Sequence, residues 1–92
     1  MITIERQDAP AGRYAYLMTG EVNGEAHDRE PVLKASKVLY SHASLTTIPA
    51  AEGPRDVLGF HKTAAAASKG HSALRRYATA VTVIEITQER PR

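Results

Sequence analysis

The pattern of apolar and polar positions predicts strands over most of this chain and one helix. Ile2 and Ile4 alternate with Thr3 and Glu5, the two-residue period of a short strand. Asp8, Pro10 and Gly12 break that run. Arg13 to Thr19 (RYAYLMT), rich in aromatic and apolar residues, reads as a second strand. Asn23-Gly24 is the best hairpin signal in the chain, because both residues tolerate positive φ.

Residues 31–48 admit two readings. Val32, Leu39 and Ala43 suit one face of a helix, with Pro31 at its first position. Against this, VLYSHASLTTI carries the β-branched and aromatic bias of a strand, which places a strand at about Val38 to Ile48. Residues 31–40 stay open between helix and strand. Pro49 to Asp56 is a loop by its Pro and Gly content, and Val57 to Phe60 reads as a short strand.

The helix is expected next. Thr63 can cap it, and Ala64 to Ala67 has the highest helix propensity available. Thr63, Ala66, Ala67, Gly70, Ala73, Leu74 and Tyr77 then fall within about 120°, the width of a buried stripe. Gly70 interrupts it. Either the helix approaches a sheet or a second copy closely there, or Gly70 ends it and His71-Ser72 begins another. Val81 to Thr87 (VTVIEIT) is the clearest strand, and residues 88–92 read as a frayed tail. The expected fold is α+β: a small antiparallel or mixed sheet of three to five strands. One Ala-rich helix packs on one face and is followed by a C-terminal strand.

Composition narrows the function. Ninety-two residues suit a single small domain, 1–92. One Phe, four Tyr and no Trp leave the core to Val, Ile, Leu and Ala, so the core is thin and a homodimer would help cover it. The absence of Cys excludes disulfide, thiol and zinc–thiolate chemistry. No apolar leader stands in MITIERQDAP and no apolar run approaches about 18 residues, so a cytoplasmic location is expected.

The net charge is only +2, but it is unevenly spread. Glu21, Glu25, Asp28 and Glu30 face a single Arg29 in residues 21–30. From Val57 to Ile84 there is no acid, while Lys62, Lys69, Arg75 and Arg76 all occur. On a continuous helix Lys62, Lys69 and Arg76, seven apart, would form a column about 21 Å long. A row of cations of this kind suits phosphates or an acidic protein groove. It also suits a solvated face whose Arg75 and Arg76 complement the C-terminal helix dipole. Lys34, Lys37, Tyr40 and His42 extend the candidate binding face. Tyr14 and Tyr16 would share a strand face, to stack on a ligand or to fill the core.

Catalytic and metal constellations fail on geometry. Ser41 and His42 are neighbours on an expected strand and would point to opposite faces. His71 and Ser72 on a helix would be about 100° apart. His61 and His71 on one helix would lie about 15 Å apart and could not share an ion, which leaves His27 and Asp28 as the place to seek one. Gly59 to Thr63 lacks the Gly-Lys-[Ser/Thr] of a phosphate-binding loop. No catalytic residue, cofactor or metal site is therefore assigned, and the chain is expected not to be an enzyme. A pocket near His42 and His61 would revive a small enzyme or ligand-binding protein.

The stretch Val32 to Ala43 (VLKASKVLYSHA), then Gly59-Phe60-His61 and an Ala-rich segment, resembles small uncharacterised proteins of actinobacteria and their phages. The resemblance covers about the middle and C-terminal two thirds and assigns no activity to any residue. It implies an accessory protein of a phage or mobile element. The expected function is a small interaction protein that binds a protein partner or itself. The alternative is a nucleic-acid-binding domain using residues 62–77. No membrane partner is expected.

Overall fold

The computed structural model describes residues 1–89, with the side chains of residues 34 and 35 left out. Strands dominate: β1 (Thr3–Ala9), β2 (Arg13–Val22), β3 (Glu25–Ser36), β4 (His42–Ile48), β5 (Arg55–His61) and β6 (Ala80–Gln88). A 3-10 turn spans Pro10–Gly12, and the only α-helix among the described residues is α1 (Ala64–Ser68). The strand order is β3-β2-β1-β6-β4-β5, with β1 and β6 parallel and every other pair antiparallel.

This corrects the expected three-to-five-stranded sheet with a long Ala-rich helix. Six strands form because residues 25–36 extend as β3 on the hairpin that Asn23-Gly24 opens. Val22 stands directly opposite Glu25, and both turn residues have positive φ (54° and 80°), as a two-residue turn requires. Residues 31–36 are therefore strand, and Pro31 does not open a helix. The helix stops after five residues because Gly70 takes φ +79°. Beyond it, His71 to Tyr77 proceeds through successive turns, with Leu74 N–H on the His71 carbonyl and Tyr77 N–H on that of Leu74. Four alanines favour a helix but bury too little apolar area to extend one.

The chain divides into two compact units, 1–39 with 86–92, and 40–85. β6 contributes to both, Ala80–Glu85 to the second and Ile86–Gln88 to the first. In the first unit Met18, Ile4 and Ile86 stand in one row across β2, β1 and β6, and all three are buried. Tyr16, two residues from Met18 and so on the same face, is fully buried and its hydroxyl donates to the Val38 carbonyl at 2.9 Å. Arg6 lies 5.8 Å from the centre of the Tyr14 ring and donates to Gln88. Tyr16 fills the core, so Tyr14 and Tyr16 do not form an open stacking platform. In this unit His27 Nδ1 lies 2.9 Å from Glu30 Oε2, and Arg29 pairs with Glu89 (3.1 Å) and Glu5 (3.9 Å). Those acids hold the Arg29 guanidinium more firmly protonated, through the Glu89 hydrogen bond first and the Glu5 charge second. Glu89 N–H also donates to the Arg6 carbonyl; the rest of the expected tail, residues 90–92, lies outside the described residues.

In the second unit β4 is central between β5 and β6. Alternation sends Ala43 and Leu45 to one face with Phe60, Leu58 and Ile84 opposite them. His42, Ser44 and Thr46 point to the other face, with His61, Gly59, Val57, Glu85, Val83 and Val81. The segment after α1 packs on this second face. Gly70 is the contact point: a Cβ there would lie 2.7 Å from Thr46 Oγ1 and 3.0 Å from Val81 Cγ2. Gly70 thus both ends the helix and permits close approach to the sheet. No helix among the described residues is long and apolar enough to cross a membrane.

Candidate functional site

The polar face of the second unit is built by the β4–β5 hairpin. Its register sets His42 opposite His61 and Ser44 opposite Gly59. Ser44 and Thr46 are fully buried, so their hydroxyls need partners. Ser44 Oγ lies 2.8 Å from His61 Nε2, and Thr46 Oγ1 accepts from His71 N–H at 2.8 Å. Thr46 thereby fixes where His71 enters. A Cβ on Gly59 would sit 3.3 Å from His61 Nε2 and 3.4 Å from both His71 Cδ2 and Ser44 Oγ. The two rings and the hydroxyl therefore converge over the one residue of β5 without a side chain.

That convergence corrects the reading that kept His61 and His71 about 15 Å apart on one helix. The helix ends at Ser68, and the chain turns His71 back onto β4. Burial disfavours the charged His61 ring and lowers its pKa below the usual imidazole value, and the charges of Arg75, His71 and His42 push the same way. Three histidines and Arg75 thus share one electrostatic neighbourhood. No group of three or more His, Asp or Glu among the described residues is placed to hold a metal ion.

Ser41 and His42 also depart from expectation. Ser41 precedes β4, so strand alternation does not apply to it, and its Oγ lies 2.7 Å from His42 Nδ1. The hydroxyl proton goes to the Lys62 carbonyl at 2.8 Å. A hydroxyl has one proton, so His42 Nδ1–H donates to Ser41. A general base would have to accept that proton, so the pair has the wrong polarity for an activated nucleophile.

The candidate cations do not form a helical column. Lys62 precedes α1, Lys69 follows its last residue, and Arg75 and Arg76 lie in turns. All four are exposed, and none makes an ion pair among the described residues. Tyr77 beside them is 59% exposed. Tyr40 packs against Phe60, with ring centroids 5.7 Å apart, and is half-buried like His42. Lys37 is exposed but belongs to the first unit, and the Lys34 side chain lies outside the described residues.

Sequence reasoning missed His61 and His71 as neighbours, and Ser44 and Gly59 as the residues that seat them. The available signal was Gly70 as a helix stop. The pairing of 42–48 with 55–61 across a short Pro/Gly loop was another. No family model, curated protein or solved structure matches this chain.

Proposed function

We propose that this chain is a small non-catalytic interaction module that takes a protein partner by adding a strand at the β5 edge. The contrast between the two sheet edges carries the reading. β3 is blunted in the ways that discourage strand addition: Pro31 interrupts it, Arg29 has positive φ, and three register shifts disturb its pairing with β2. β5 pairs with β4 over seven consecutive positions without a shift. Its middle, Val57-Leu58-Gly59-Phe60, carries no charge, proline or bulge. A regular edge of this kind is a template for a further strand. The proton polarity of Ser41 and His42 favours binding over catalysis.

The test is selection of binders from a random-peptide display library, followed by amide exchange of the protein alone and with the selected peptides. The reading expects slowed exchange at Arg55–His61 on binding. Binders that protect other segments and leave β5 unchanged would overturn it. Sedimentation of the protein alone shows whether the added strand comes from a second copy.

A second reading, nucleic-acid binding, is favoured by one observation: Lys62, Lys69, Arg75 and Arg76 are exposed without ion pairs beside an exposed Tyr77. Cations and an open ring are what a phosphate backbone and its bases contact.

A further inference from the structure

We propose that the strand taken up at β5 is an acidic one: an extended segment of about eight residues with a carboxylate at each end and apolar side chains between. This rests on the β5 edge reading and names its partner. The charges along the edge carry it. Arg55 opens β5, and Lys62 follows its last residue. Both are exposed, and neither is in an ion pair among the described residues. Lys62 is held at the strand's end. Its carbonyl accepts from Ser41 Oγ at 2.8 Å, and the His61 carbonyl before it accepts from Ser41 N–H at 3.0 Å. The one acid of β5, Asp56, stands opposite Thr47 and accepts from its hydroxyl at 2.5 Å, so it leans toward β4 and away from the free edge.

The edge thus presents a cation at each end, about 23 Å of extended chain apart. Between them Leu58 and Phe60 are half-buried, on the face where Ala43, Leu45 and Ile84 are buried. A strand laid beside β5 extends that face, so it gains from apolar side chains next to Leu58 and Phe60. Carboxylates at its two ends meet Arg55 and Lys62. A second copy of this chain does not match. Antiparallel pairing of β5 with itself over this whole stretch sets Arg55 opposite Lys62 at both ends, cation against cation. The acid-bearing strand of a second copy, β3, has Pro31 and the positive φ of Arg29 in the way.

The test uses three display libraries of eight-residue peptides, randomised at the six central positions, with glutamate, glutamine or lysine at both ends. Binders that slow amide exchange at Arg55–His61 are expected from the glutamate library. Changing their ends to glutamine should weaken binding by about tenfold, less so at high salt. Arg55→Gln with Lys62→Gln, both at exposed positions, should erase that difference while the amide spectrum stays native. Binders of β5 drawn equally from all three libraries would overturn the acidic partner and leave the edge reading standing. Peptides that bind without slowing β5 would overturn both. A preference for glutamate ends that survives in the double variant would overturn the roles of Arg55 and Lys62. So would a double variant that loses random-sequence DNA binding but keeps the peptide preference, which assigns these cations to nucleic acid. Sedimentation of the protein alone as a dimer, with β5 exchange already slow, would put a second copy in place of the peptide.

Discussion

At Gly70, backbone and packing make the same demand. Its φ of +79° is in the left-handed region, and a Cβ would strike the Thr46 hydroxyl that receives His71 N–H. Gly70→Ala should cost about 1–3 kcal/mol in urea unfolding. It should also displace His71, read as a change in that ring's resonances. His61 carries the pH dependence at this scale. Its folded pKa is lowered, chiefly by burial, from the ordinary value of 6.5. Well above 6.5 the ring is neutral in both states and contributes no slope. As pH falls through 6.5 the unfolded chain gains a proton that the folded ring resists, so stability drops until the folded pKa is passed. His61→Gln should flatten the fall in stability just below pH 6.5 in denaturation curves measured across that range, and an equally steep fall would exclude His61 as its source.

At the scale of elements, α1 is too short to persist by propensity, and its start depends on Thr63. Thr63 Oγ1 accepts from Ala66 N–H at 3.1 Å. Thr63→Ala should lower stability by about 1 kcal/mol, and Thr63→Ser should recover most of it. Comparison of chemical denaturation midpoints decides this, because five helical residues add little to a circular dichroism signal. Among the strands, the β2–β3 hairpin was legible from Asn23-Gly24, and the break after β1 from Pro10 and Gly12. The start of β4 was placed four residues early, at Val38. Tyr40 and Leu39 have strand propensity, but the chain bends at residues 37–38 and joins no strand until His42. There the Ser36 hydroxyl accepts from Val38 N–H.

At the scale of the whole molecule, charge segregation is a property of the surface rather than of one element. Lys62, Lys69, Arg75 and Arg76 come from a capping stretch and a run of turns. If all four reach phosphates, affinity for random-sequence DNA should fall with a log–log salt slope of about −3 to −4. Lys69→Glu with Arg76→Glu should remove about half of that slope. Filter binding at several salt concentrations checks this, and a slope near zero would leave the protein-partner reading alone.

The sequence by itself determined what local rules govern: the strand periodicity of β1, β2 and β6, the turn at Asn23-Gly24, the cap at Thr63 and the absence of thiol chemistry. It also held the acid-free stretch that sets the charge of the candidate site. Only the tertiary structure decided that Gly70 stops the helix, because propensity cannot weigh an Ala run against the contact with Thr46. The same holds for the meeting of His61 with His71 and for the different regularity of the two edge strands. Each depends on strand register and on which chain segment covers which face. Those are set by pairings between residues distant in sequence, and no window of local pattern contains both partners.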